Sequence, residues 1–451
     1  MSKKFFISFS IILIFIAINV WSLVNKNIVD KNPKIEGIVL SINESSITLR
    51  DSNHIIYTVN INAIDVSIGD NVLIEYTGEL NKNKEVQDIL VEKYSVLPVS
   101  EDKDNIPDSW QDDGIFSDYY TLAYNKLKTL TLDEKIGQLF LVRHPNDNAI
   151  SDLKKYNFGG FVFFSPDFTK KTKENVINMI NNLQANAKVP LLTSVDEEGG
   201  IVVRVSSNSL LSPYRFKSSQ ELYSLGGFSA IKEDILNKSK LLNSLGLNLN
   251  LAPVVDVSTN ENDYMYTRAF GKNTELTSQY SKNVIEASKG TGVSYTLKHF
   301  PGYGNNVDTH IGSSVDTRTY ENILNNDLPP FRAGIDAGAE AVLVSHNIVN
   351  SMDSTNPASL SISVHNLLRN ELGFTGIVIT DDLYMDAVSS IDDVAVKAIL
   401  AGNDLIISTD YEKDIQDVKD AVNDGVISED IIDRIAFRIL SWKYYKGLIK
   451  N

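Results

Sequence analysis

Residues 173 to 200 read KENVINMINNLQANAKVPLLTSVDEEGG, and two different patterns meet within them. Val176, Met179, Ile180 and Leu183 recur at i, i+3, i+4 and i+7, which predicts a helix over Lys173–Asn186 with one buried face. Leu191–Val195 then forms a short apolar run, read as a strand, and Asp196, Glu197 and Glu198 close it. A helix followed by a buried strand with a polar end is the repeating piece of an α/β protein.

The same alternation extends in both directions. Candidate strands are Gln138–Val142, Gly160–Phe164, Leu191–Val195, Leu249–Val254, Ser294–Leu297, Ala341–Val344, Ile377–Ile379 and Asp404–Ile407, with amphipathic stretches between them. Such a series predicts a (β/α)8 TIM-type barrel, a fold of ~200 to over 400 residues. A doubly wound open sheet would want a glycine-rich phosphate turn after its first strand, and none is visible.

Upstream the pattern changes. Residues 33–96 hold five short runs rich in Val, Ile and Tyr, separated by turn formers such as Asn43-Glu44-Ser45. They are expected to form a small all-β module, barrel-like in the manner of an OB-fold. Residues 97–117, with Pro98, Pro107 and clustered acids, read as a linker, leaving 118–451 for the barrel. At the start, Lys3 and Lys4 precede an uncharged run from Phe5 to Val24 that Lys26 closes. Residues 1–27 are therefore read as a signal anchor or a cleaved signal peptide. Either outcome places the remainder outside the cytoplasm, membrane-anchored or secreted, since basic residues favour the inner side.

Composition removes several function classes. Among 451 residues, 42 basic against 58 acidic give a formal charge of -16, and no basic stripe offers a nucleic-acid surface. With no cysteine, disulfides, thiolate nucleophiles, iron–sulfur clusters and a lipid-modified N-terminal cysteine are excluded.

Barrel enzymes act at the C-terminal ends of their strands. Those ends here carry Arg143, Asp196-Glu197-Glu198, Asp256, Lys298-His299, His346 and Asp381-Asp382. A mouth of carboxylates, histidines and arginines suits hydrolysis or group transfer on a polyhydroxylated substrate. The densest stretch is Lys298-His299-Phe300-Pro301-Gly302-Tyr303-Gly304, followed by Asp308-Thr309-His310.

These motifs, with Arg204 after Asp196-Glu197-Glu198-Gly199-Gly200, and Thr380-Asp381-Asp382-Leu383, resemble glycoside hydrolase family three, within it the β-N-acetylhexosaminidase branch. Thr131 to Gln138, Asn248 to Asp256, Arg268-Ala269-Phe270-Gly271 and Pro357 to Ser361 extend the resemblance from about Thr131 to the C-terminus. It implies that Asp381 is the nucleophile of a retaining reaction, with His310 as acid/base and Asp308 as its partner. It further implies sugar clamps at Asp196, Arg204, Arg268, Lys298 and His299, and no metal or organic cofactor. The chemistry is coherent: a carboxylate can form and release a glycosyl ester, and an imidazole can exchange a proton near neutrality. Tyr303 stands where the family usually has a second histidine. A second α/β domain after the barrel is not expected, and its lack would favour the hexosaminidase branch over the β-glucosidases.

The expected activity is exo-β-N-acetylglucosaminidase, on carbohydrate substrates such as N-acetylglucosamine-containing cell-wall sugars. The alternatives are a β-N-acetylglucosaminide phosphorylase, whose histidine acid/base would not repel phosphate, and a non-catalytic wall-sugar-binding protein on the same scaffold.

Overall fold

The helix Lys173–Asn186 forms as its spacing predicts, and its start is fixed by side chains. Thr172 Oγ1 accepts from the Asn175 amide at 3.2 Å while Asn175 Oδ1 accepts from the Thr172 amide at 3.1 Å, satisfying two donors that the first turn leaves open. Val176, Ile180 and Leu183 are its buried residues and join the barrel's core. The computed structural model describes residues 33–43, 46–51, 55–61, 66, 70–79, 86–87, 89–96, 106–306, 308–309, 312 and 314–450. The expected N-terminal segment 1–27 and His310 lie outside the described residues. No described helix is long and apolar enough to cross a membrane.

Among the described residues the strands are β1 (Lys34–Asn43), β2 (Ser46–Arg50), β3 (Ile56–Asn60), β4 (Asn71–Thr77), β5 (Val86–Gln87) and β6 (Leu90–Val96), then β7 (Phe140–Arg143), β8 (Gly160–Phe163), β9 (Leu192–Val195), β10 (Leu249–Asn250), β11 (Ser294–Phe300), β12 (Val315–Asp316), β13 (Ala341–Val344), β14 (Ile348–Val349), β15 (Ile377–Thr380) and β16 (Ile406–Ser408). Strands β7, β8, β9, β10, β11, β13, β15 and β16 pair side by side in parallel, and β16 returns to β7. A single parallel bridge, Ile379 to Leu405, joins β15 to the segment entering β16 and closes the ring. Buried on both faces, most of these strands carry apolar runs without alternation, which is why they stood out in the sequence. The fold is thus an α/β barrel of the TIM type.

Most predicted strand ends shift by one or two residues, and two strands change more. The fourth shrinks to Leu249–Asn250, although Val254 still bridges Lys298. The fifth runs on to Phe300, so Lys298 and His299 are strand residues rather than loop residues.

In the module, β1 lies between β2 and β4, with β3 beyond β2. The expected fifth run is split: β5 pairs parallel to β3 and β6 antiparallel to β4, so the pairing travels round a small barrel-like ring. The module stands on the barrel floor. The side chain of Asn366 accepts from the Ile56 amide at 2.7 Å and donates to its carbonyl at 2.8 Å. Fully buried Arg50 sits among Arg434, Asp404, Arg369 and Arg438. Arg369 binds Asp404 and the carbonyls of Phe374 and Gly376, all before β15 and β16 begin, which marks this as the N-terminal end of the strands.

Part of the expected linker is packed structure. Trp110 and Phe116 bury against Phe437 and Trp442 of the last long helix, Glu429–Tyr445, and Arg438 donates to Asp112 at 2.9 Å. The barrel unit therefore begins near residue 106, not 118. A few large apolar side chains among many polar ones anchor that stretch, which its composition concealed.

Candidate active site

The opposite end of the barrel opens into a cavity of about 710 Å³. Its lining includes Asp196, Arg204, Arg268, Lys298, His299 and Asp381, which arise from the ends of β9, β11 and β15 and from two intervening loops. Six of the eight residues singled out from sequence thus share one cavity. Asp308 belongs to its rim, hydrogen-bonded to the lining residue Tyr264.

Three adjacent carboxylates after β9 have three different tasks. Asp196 and Glu198 both hold the Lys298 ammonium, at 2.7 and 2.8 Å. Glu198 also receives the fork of Arg268, with Nη2 at 2.7 Å and Nε at 3.1 Å. Burial would raise the Glu198 carboxyl, but Lys298 and Arg268 outweigh it and hold it far below the usual carboxylate range. Burial likewise opposes the Lys298 charge, and Asp196 and Glu198 overcome it, raising that pKa. Glu197 points elsewhere: it accepts from the backbone amides of Arg204, Val205 and Ser206 at 2.7 to 3.2 Å and from the Ser206 hydroxyl, so it shapes the loop that carries Arg204. Glycine is required just before that loop, since Gly199 has a φ of +106° and a side chain there would strike the Lys217 carbonyl.

His299 is oriented from behind. Its Nδ1 lies 2.7 Å from Asp256 Oδ2, and its Nε2 lies 3.4 Å from Arg268. The other Asp256 oxygen accepts from the Tyr303 amide at 2.7 Å. One fully buried carboxylate therefore fixes both a cavity-lining imidazole and the turn beyond it.

Asp381 and Asp382, indistinguishable by residue type, separate by environment. Asp382 Oδ1 accepts from the amides of Tyr384 and Thr409, and its Oδ2 from the Thr409 hydroxyl at 2.6 Å. Burial raises its pKa. His346 Nε2 lies 3.1 Å from the Asp382 carbonyl, steadying the same turn. Asp382 is thus committed to joining the ends of β15 and β16. Asp381 accepts from the Asp382 amide at 3.0 Å and lines the cavity.

Tyr303 explains itself in this setting. Its hydroxyl accepts from the Thr309 amide at 3.0 Å and hydrogen-bonds with Thr309 Oγ1 at 3.0 Å. Burial pushes the phenol up to about 12, so it stays neutral and able to donate. Tyr264, its ring 5.8 Å from that of Tyr303, bonds Asp308 and Arg268. Two tyrosines thus hold the Asp308-Thr309 turn against the mouth. Tyr303→Phe is expected to lower kcat about tenfold with KM nearly unchanged, because reactive groups a fraction of an ångström out of place lose rate rather than ground-state binding. Steady-state kinetics would check it, and an unchanged kcat would reduce Tyr303 to packing.

Glu198, Asp256 and Tyr264 belong to the site without having been assigned to it from sequence. The first two were visible as polar strand ends. Tyr264 sits in an irregular loop with no pattern to mark it. Among the described residues, no three histidine, aspartate or glutamate side chains are grouped as metal ligands.

Comparison with known proteins covers this barrel and its mouth. A family profile described as Glycosyl hydrolase family 3 N terminal domain matches residues 131–442. A protein named Beta-hexosaminidase from Xanthomonas euvesicatoria pv. vesicatoria (strain 85-10) is 34% identical over 255 residues, 55% of this chain and 75% of that protein. The solved structure of a glycoside hydrolase family 3 beta-N-acetylglucosaminidase from Paenibacillus sp. str. FPU-7 superposes with a TM-score of 0.66 at 31% identity. That superposition covers 72% of this chain and 64% of the Paenibacillus chain. A beta-glucoside phosphorylase superposes equally well, TM-score 0.66, covering 73% of this chain and 61% of that one, but at 22% identity this speaks to the fold alone.

Proposed function

Because the chain belongs to glycosyl hydrolase family 3 and is a glycoside hydrolase, we propose that it is a retaining exo-β-N-acetylglucosaminidase removing terminal N-acetylglucosamine from cell-wall muropeptides or related glycans. The observation that carries this reading is the placement of Asp381 in one cavity with the Asp196, Lys298, Glu198 and Arg268 network, beside the turn bearing Asp308.

In the first step the Asp381 carboxylate attacks the anomeric carbon, while His310 protonates the departing glycosidic oxygen. In the second, His310 takes a proton from water, which attacks the same carbon and releases the aspartate. Asp308 stabilises the imidazolium that forms as His310 takes the proton from water in the second step. Asp196 accepts from ring hydroxyls; Arg204, Arg268, Lys298 and His299 donate, their charges strengthening those bonds. The paired network keeps these groups pre-set, so the sugar meets fixed donors. In this reading the protein works outside the cytoplasm, held at the membrane by residues 1–27 or released when they are cleaved.

The test is paired turnover of an aryl β-N-acetylglucosaminide and the matching aryl β-glucoside. A site that hydrogen-bonds the acetamido group should prefer the first by at least about 100-fold in kcat/KM. Equal rates, or preference for the glucoside, would sink the assignment. Sugar 1-phosphate appearing only when phosphate is added would turn it toward phosphorolysis.

A further inference from the structure

One sector of the mouth sets a second cation, Arg143, beside the sugar clamp Arg204. Arg143 ends β7, Phe164 follows β8, and Arg204 lies in the loop after β9, so three neighbouring strands bring them together. The Arg143 guanidinium carbon lies 4.8 Å from the centre of the Phe164 ring, and that of Arg204 lies 5.8 Å from the same centre. All three line the cavity that holds Asp381.

What distinguishes this pair is that neither guanidinium is ion-paired with a described residue. Lys298 and Arg268 are neutralised by Asp196 and Glu198. Neither Arg143 nor Arg204 has an ion pair or a side-chain hydrogen bond with the described residues, and the Arg204 Nε is buried without an acceptor. Two like charges held against one ring repel each other, and the aromatic face only partly offsets that. Their planar forks match a group with several anionic oxygens better than a hydroxyl.

We infer that Arg143, Phe164 and Arg204 form a subsite for an oxyanion, a phosphate or carboxylate group carried by the sugar or bound beside it. The placement beside a sugar rests on the glycosidase reading above; the anion site itself does not. Two sources supply that chemistry. One is a substituent of the substrate, such as a 6-phosphate or a 3-O-lactyl carboxylate. The other is free phosphate, which would arrive next to the anomeric carbon as an acceptor.

Calorimetric binding to the full chain separates these cases. The probes are inorganic phosphate, N-acetylglucosamine 6-phosphate, N-acetylmuramic acid and neutral N-acetylglucosamine. The proteins are the wild type, Arg143→Met and Arg143→Lys. Expected is a sugar acid that binds the wild type about tenfold more tightly than N-acetylglucosamine, or saturable binding of phosphate. That gain should vanish in Arg143→Met and return in part in Arg143→Lys, with N-acetylglucosamine binding alike to all three. Preference for a sugar acid identifies a substituent, and preference for phosphate alone identifies an acceptor. No anion preference in the wild type, or one that survives Arg143→Met, overturns the subsite. Absence of aryl hexosaminide turnover would overturn the glycosidase reading while leaving this binding result standing.

Discussion

Asp381→Asn should lower kcat on an aryl β-N-acetylglucosaminide by about 10⁴-fold or more, the scale seen when a covalent nucleophile is removed. Asparagine preserves shape and can still accept from the Asp382 amide, so folding should be little changed. It cannot form the glycosyl ester. The neighbouring substitution provides the contrast. Asp382 ties Tyr384 and Thr409 together through three hydrogen bonds, so Asp382→Asn should cost roughly 1–3 kcal/mol of stability by leaving buried donors poorly matched. Trapping the wild type with a slow fluorinated glycoside, then mapping the label by mass spectrometry, distinguishes the two positions. A label on residue 382, or an Asp381→Asn protein that turns over normally, would defeat the assignment.

Glu198→Gln should have the largest effect on stability. The Glu198 side chain is 5% exposed and is the shared anion of Lys298 and Arg268. Removing one partner from a buried ionic cluster leaves its charges uncompensated and costs about 3–5 kcal/mol. The loss should carry a pH signature. Folding depresses the Glu198 pKa, so its contribution is complete above the unfolded-state value near ~4.3 and declines as pH falls below that. The stability gap between wild type and variant, measured by urea unfolding, should be constant from pH 7 to 5 and narrow progressively below about pH 4. A gap independent of pH across that range would show that Glu198 is not held ionised by its partners.

The barrel was legible because its strands are buried on both faces. Ala341–Val344 could be bounded to the residue from its apolar side chains alone. Boundaries failed where polar residues stay inside a strand: Lys298 and His299 extend β11 because Asp196, Glu198 and Asp256 neutralise or orient them from the segments that follow β9 and β10. That compensation is a tertiary fact. The same holds for Asp196, Glu197 and Glu198. Three neighbouring carboxylates look equivalent in a chain, yet one holds a lysine, one gathers backbone amides and one bridges two cations. Tyr303 was visible as a departure, but its purpose depends on Thr309 lying within reach of its hydroxyl. Trp110 and Phe116 were missed because two anchors suffice to dock a stretch whose average composition is that of a tether.

The seat of the small β module on the barrel floor, through Ile56 and Asn366, has a steric corollary. Anything that grips the module takes hold of the face turned away from the opening. A bulky glycan can then approach along the barrel axis without meeting the attachment, and the two ends of the molecule are free to vary independently.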